Sequence, residues 1–235
     1  MALALEGVRV RFGGVDALAG VSVRIEPGSV VGLIGPNGAG KTTLVNATTG
    51  IVSLAGGTIS LDDVRLDGKR PYQIARCGVA RTYQNIRLFG ALDVEDNLRA
   101  GAIRRSDLNT NAMLPLLERA GMRDVDLRTP AASLAYGDQR RLEIARALAS
   151  SPAILMLDEP AAGMNPSETL ALAALVRSIA DDGIGVLLIE HDVALVRRVC
   201  DRVTVLNFGT VLAEGTPDDV ARDPAVIEAY LGAAV

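Results

Sequence analysis

The chain is 235 residues long, 49% hydrophobic and 22% charged, which suits one sizeable core with an inserted lobe and excludes a repeat array or a large multidomain assembly. A net charge of −4 without a basic block argues against a nucleic-acid partner, and apolar runs such as residues 153–157 stop far short of the ~18 residues needed to cross a bilayer. The first six residues lack a basic start and already include Glu6, so no signal peptide is read there and a soluble, cytosolic chain is expected.

Residues 3–12 and 21–26 alternate apolar and polar side chains, the pattern of half-buried antiparallel strands, and Pro27-Gly28 breaks the chain after them. The apolar run 30–34 predicts a buried strand, and 42–49 after it a helix. Gly56-Gly57 and Asp67-Gly68 read as turns. Between about residues 91 and 150 strand signals disappear, and helices are predicted over 94–103, 111–121 and 138–150. The strand-then-helix rhythm returns at 153–157 and 166–180, then again at 185–189 and 193–200. Residues 202–215 close the pattern as a hairpin turning on Asn207-Phe208-Gly209-Thr210. Repeated crossovers of this kind predict a parallel sheet with helices on its faces, and the middle segment predicts a helical lobe set into that α/β core.

Residue types narrow the chemistry. Of 24 basic residues only Lys41 and Lys69 are lysines, so a lysine kept at one place points to a need for a compact ammonium instead of a planar fork. His191 is the only histidine. Cys77 and Cys200 stand far apart with no ligand-spaced neighbours, which predicts reduced thiols and no zinc site.

Gly35-Pro36-Asn37-Gly38-Ala39-Gly40-Lys41-Thr42 has the full pattern of a phosphate-binding loop, after an apolar strand and at the mouth of a helix that continues with Thr43. The glycines let backbone N–H groups wrap phosphates, Lys41 reaches the β/γ oxygens, and the Thr42 hydroxyl suits Mg²⁺. A second apolar strand ends in Asp158-Glu159. There Asp158 is placed for the Mg²⁺ shell and Glu159 for polarising a water. Together these motifs predict a nucleotide-hydrolysing P-loop protein.

The stretch Ser133-Leu-Ala135-Tyr136-Gly137-Asp138-Gln-Arg-Arg-Leu-Glu-Ile-Ala-Arg146 resembles the signature of the ABC-transporter ATPase family, in which Leu-Ser-Gly-Gly-Gln opens a helix. As physics it is a second helix N-terminus open to phosphate, with Gly137 leaving room for close approach. Gln84, in Arg81-Thr-Tyr-Gln84-Asn85, is similar to that family's Q-loop, which implies an amide offered to the metal or the attacking water. His191, in Glu190-His-Asp192, resembles its switch histidine, implying contact with the γ-phosphate and Glu159. Phe12, in Arg11-Phe-Gly-Gly14, resembles the aromatic residue that stacks on adenine, a buried strand-end Phe being the alternative.

The resemblance covers the whole chain. It implies a P-loop (RecA-like) core with a parallel sheet over 1–90 and 151–235, an N-terminal antiparallel β subdomain, and an inserted α-helical subdomain over 91–150, all in one domain of 235 residues. It also implies ATP and Mg²⁺ as ligands, a head-to-tail dimer with the same chain or a paralogue, and each nucleotide held between one chain's phosphate loop and the other's residues 135–138. Transmembrane permease subunits and, indirectly, a substrate-binding protein are the further implied partners, with the chain peripheral on the inner face of the cell membrane. Asp158-Glu-Pro-Ala-Ala-Gly-Met-Asn-Pro and the tail from Gly215-Thr-Pro to Gly232 look like the branched-chain amino acid importer branch, and the lipopolysaccharide-export ATPase is a near relative. Three residues depart from the general pattern: Ala135 replaces the signature serine, Asn165 the usual aspartate, and Asp138 the branch's glutamine. The first two also occur in the importer branch. The three together leave open an ATP-binding regulatory module with weak turnover.

Overall fold

The computed structural model describes residues 1–105 and 108–231. Its centre is a six-stranded sheet in the order β10-β9-β3-β8-β7-β6, formed by β3 (Val30–Ile34), β6 (Val79–Arg81), β7 (Ile154–Asp158), β8 (Gly185–Ile189), β9 (Arg202–Asn207) and β10 (Thr210–Gly215). Every neighbouring pair is parallel except β9 and β10, which form the hairpin expected from the sequence. The turn residues Phe208 and Gly209 both have positive φ, as a tight hairpin turn demands.

The central strands are apolar throughout because both faces are covered. Leu155, Leu157, Val186 and Leu188 point to one face, where they meet Leu172, Val176 and Ile179 of α6 (Pro166–Asp181) and Leu195 and Val199 of α7 (Val193–Val199). Burying each such side chain contributes about 1.5–3 kcal/mol. Val31, Leu33, Met156, Leu187 and Ile189 point to the other face, against Leu44 and Val45 of α1 (Lys41–Thr48) and an antiparallel sheet. That second sheet has the order β2-β1-β4-β5, with β1 (Leu3–Phe12), β2 (Val15–Ile25), β4 (Gly56–Leu61) and β5 (Val64–Arg65).

Here the structure departs from the sequence reading. The second strand starts at Val15, not residue 21, because register irregularities against β1 break the two-residue alternation. Gly56-Gly57 is not a turn but the start of β4, opposite the irregular stretch of β1 between Glu6 and Arg9. The strands β4, β5 and β6 and the helix α2 (Pro71–Cys77) had no counterpart in the sequence reading.

Between β6 and β7 run α3 (Val94–Gly101), α4 (Thr110–Arg119) and α5 (Tyr136–Leu148). Val94, Leu98, Met113, Leu117, Leu142 and Ala145 make a third core of their own. α5 is amphipathic twice over: Ile144 and Leu148 belong to the core of the central sheet, while Leu142 and Ala145 belong to the helical one. The described residues close with α8 (Pro217–Arg222) and α9 (Pro224–Leu231).

Candidate functional site

The loop from Gly35 to Gly40 joins β3 to α1, and Gly40 caps the helix at φ 106°, a conformation reserved for glycine. A Cβ there would also lie 2.8 Å from Leu18 and 2.9 Å from the Ala17 carbonyl oxygen. The Lys41 side chain is only 7% exposed and folds back over the loop. Its Nζ donates to the carbonyl oxygens of Gly35 (2.6 Å) and Pro36 (3.0 Å). Burial lowers its pKa, and the negative charges of Glu159 and Asp158 oppose that shift.

A polar cavity of about 290 Å³ opens over this loop. Its lining brings together Asn37, Gly38, Ala39, Gly40, Lys41, Thr42, Thr43, Gln84 and Glu159, with Ala17 from β2. Gly35 and Pro36 stand behind it as the acceptors for Lys41.

Asp158 ends β7, buried except for 5% of its surface. Its Oδ2 accepts from Arg81 at 3.3 Å, and Arg81 also donates to Asn46 of α1 (2.8 Å) and to Thr49 at the end of that helix (3.2 Å). Burial raises the Asp158 pKa, while the Arg81 guanidinium pulls it back. Glu159 follows in a left-handed conformation, φ 48°, with its N–H donating to Ile189 at 2.9 Å. Its carboxylate is held from two sides. Gln84 Nε2 donates to one oxygen at 2.8 Å, and His191 Nε2 lies 2.9 Å from the other. Holding a non-glycine residue at positive φ costs about 1–3 kcal/mol, strain that clusters where geometry serves chemistry.

Two supporting groups went unassigned in the sequence reading. Arg81 is one. Glu190 is the other: buried, it accepts from the N–H groups of Ala161 (2.8 Å) and His191 (3.2 Å), so it ties the loop after Glu159 to His191. Burial raises the Glu190 pKa against the pull of those bonds. Both lie beside motif residues, and a charge bordering an apolar strand is the sequence signal that could have found them.

The predicted site residues do not all converge. Ala135 is the N-cap of α5 and offers no side-chain bond, while Tyr136, Gly137 and Asp138 form its first turn. None of the four lines the cavity over the phosphate loop. Gly137 has little room beside it, since a Cβ would come within 2.8 Å of Glu168 Oε1. Asp138 pairs with Arg141 at 3.3 Å. Phe12 ends β1 and is 52% exposed, so the buried alternative does not apply, but it too lies outside the cavity lining. Asn165 caps α6 in a reciprocal box with Glu168. Cys77 and Cys200 are free thiols, and burial pushes Cys200 up to about 12.

The donors suit Mg²⁺, which prefers hard oxygen ligands. The Thr42 side chain is exposed to the cavity, and Gln84, whose amide nitrogen is committed to Glu159, keeps its amide oxygen for a cation. A separate, larger groove of about 520 Å³ runs between α2, β6, α3 and α5, with Ile51, Tyr72, Phe89 and Ile103 as exposed apolar walls. Among the described residues no helix is long and apolar enough to cross a membrane.

A family model described as ABC transporter matches residues 18–162, and one described as branched-chain amino acid ATP-binding cassette transporter matches residues 210–235. The chain is 45% identical to the high-affinity branched-chain amino acid transport ATP-binding protein LivG of Salmonella typhimurium, over 99% of this chain and 98% of that one. It is 44% identical to BraF of Pseudomonas aeruginosa over the same shares. Among solved structures, an ATP-binding cassette of an ABC transporter in its ADP conformation superposes with a TM-score of 0.87 at 30% identity, covering 99% of both chains. With the phosphate loop, Gln84 and Glu159 lining one cavity and His191 set against Glu159, the chain belongs to the ATP-binding subunits of ABC transporters.

Proposed function

We propose that the chain hydrolyses MgATP and so drives separate permease subunits that carry branched-chain or similar small amino acids inward. The observation that carries the reading is the Glu159 carboxylate, fixed between Gln84 and His191 at the mouth of the phosphate-loop cavity. Bound with ATP, Mg²⁺ would neutralise charge on the β- and γ-phosphate oxygens, held by Thr42, Gln84 and Asp158. Lys41 and the N–H groups of residues 37–43 hold the phosphates. Phe12 stacks on the adenine. Glu159 accepts a proton from water as its oxygen attacks the γ-phosphorus. The bond from phosphorus to the β-γ bridging oxygen breaks, and ADP leaves with that electron pair. His191 and Gln84 orient the carboxylate for this step.

In this reading residues 1–90 and 151–235 form the nucleotide-binding core and 91–150 the helical subdomain. A second ATPase subunit, identical or paralogous, supplies its own residues 135–138 to close over the nucleotide. The apolar groove beside Gln84 suits a helix of the permease, so the chain works on the inner face of the cell membrane, with a substrate-binding protein feeding the transporter from outside. The amino-acid substrate rests on what the relatives LivG and BraF are named for and on the match at residues 210–235.

The test is the assembled transporter in vesicles. Glu159→Gln is expected to keep ATP binding and to lose hydrolysis and leucine uptake together. Hydrolysis at the wild-type rate would remove Glu159 from the role of base. Full hydrolysis in the wild type without uptake of any branched-chain amino acid would overturn the substrate assignment.

A further inference from the structure

Arg140, on α5, has no exposed surface. Its Nη1 donates to the Tyr83 carbonyl oxygen at 2.6 Å and to Glu143 at 2.7 Å, and its Nη2 donates to the Gln84 carbonyl oxygen at 2.7 Å. Glu143, 1% exposed, uses its other oxygen to accept from the Arg87 N–H at 3.0 Å. The segment 83–87 is therefore fastened to α5 at both ends. The Tyr83 ring also lies against the guanidinium groups of Arg81 (4.4 Å) and Arg87 (4.5 Å). Since Arg81 bonds to Asp158 and to α1, direct contacts run unbroken from the phosphate-loop helix to α5.

Burying an ion pair costs several kcal/mol per charge, and an apolar pair of similar size holds a helix to a loop at least as well. What the charged pair adds is direction. A guanidinium fork can hold two successive carbonyl oxygens at once, which fixes the orientation of the peptide that carries the Gln84 side chain. Gln84 in turn reaches Glu159.

We propose that Arg140 is a positioning residue that makes the Gln84 loop and α5 one body, so that seating of the Gln84 amide on Glu159 and placement of the α5 N-terminus are a single motion. The inference rests on Glu159 as the base and on residues 135–138 facing the partner subunit's nucleotide. It follows that the water-activating group of one nucleotide site is tied, through one buried arginine, to the closure of the other.

Arg140→Lys, with one ammonium in place of the fork, and Glu143→Gln, which keeps shape, test the link. Hydrogen exchange on the full chain is expected to rise most at amides 82–88 in both variants, above the general rise that an unpaired buried charge brings elsewhere through lost stability. In the assembled transporter kcat is expected to fall about tenfold or more for Arg140→Lys, and less for Glu143→Gln, with KM for ATP unchanged within about twofold. The double variant Gln84→Ala/Arg140→Lys is expected to be no slower than Gln84→Ala alone. Losses that multiply in the double variant, exchange that rises no more at 82–88 than elsewhere, or an unchanged kcat would each overturn the proposal. Exchange is read without turnover, so it tests the hold on the loop even if Glu159→Gln shows that another residue is the base.

Discussion

Glu159 and Asp158 are neighbours in sequence with opposite circumstances. Asp158 completes a buried strand and is neutralised within the fold by Arg81, whereas Glu159 is turned by its positive φ into the cavity, where an amide and an imidazole hold it. A carboxylate so oriented is available to a water, while Asp158 gives only its Oδ2 to Arg81 and keeps Oδ1 for a cation. Asp138 shows the same dependence on neighbours. At an effective dielectric near 20, a carboxylate about 8 Å from a phosphate charge is repelled by about 2 kcal/mol. Arg141, 3.3 Å away on the same helix, offsets much of that. Asp138→Gln is therefore expected to lower the apparent KM for ATP of the assembled complex only modestly, about threefold at low salt and less at high salt. Kinetics at two ionic strengths check it, and a raised KM would mean that the carboxylate makes a favourable contact across the subunit interface.

At the scale of elements, the ends of helices carry much of the design. Asn165 accepts from the Glu168 N–H at 3.0 Å, and Glu168 returns a bond to the Asn165 N–H at 2.9 Å. Asn165→Ala is expected to cost about 1 kcal/mol, a fall of roughly 2–4 °C in thermal midpoint for a chain of this size. Calorimetry of the isolated subunit measures it. Long, uniformly apolar strands such as β3, β7 and β8 were legible in the sequence because each faces packing on both sides. So were the helices that follow them, and with them the places of Lys41, Glu159 and His191. The strands β5 and β6 were not, since two or three residues cannot display a period. β4 was hidden behind its glycine pair, and the first half of β2 behind irregular register. The Arg140–Glu143 pair was illegible for another reason: charged residues along a helix read as solvated, and only tertiary packing shows that α5 buries both.

The whole molecule presents two working faces on one frame. The cavity over the phosphate loop is polar, while the groove between α2 and α3 is walled by apolar side chains left open. Ile103→Asp, on that groove, is expected to reduce co-purification with the permease severalfold while leaving the nucleotide affinity of the isolated subunit unchanged. Pull-down from membranes and nucleotide titration give the two readouts, and equal losses in both would place Ile103 in the core's stability instead.

The shared helix α5 has a consequence for anyone who would transplant parts between relatives. Its Ile144 and Leu148 are wall to the central sheet, and its Leu142 and Ala145 are wall to the helical core. A graft that exchanges residues 91–150 carries the helical core over whole but splits the core of the central sheet between two chains, whereas one cut at 94 and 133 keeps the sheet's core whole and splits the helical one. Chimeras of the narrower kind are expected to keep wild-type nucleotide affinity while adopting the donor's choice of permease, and to lose stability only where donor residues meet Leu142 and Ala145. Chimeras of the wider kind are expected to melt several degrees lower, because Ile144 and Leu148 fit the sheet of the chain in which they arose.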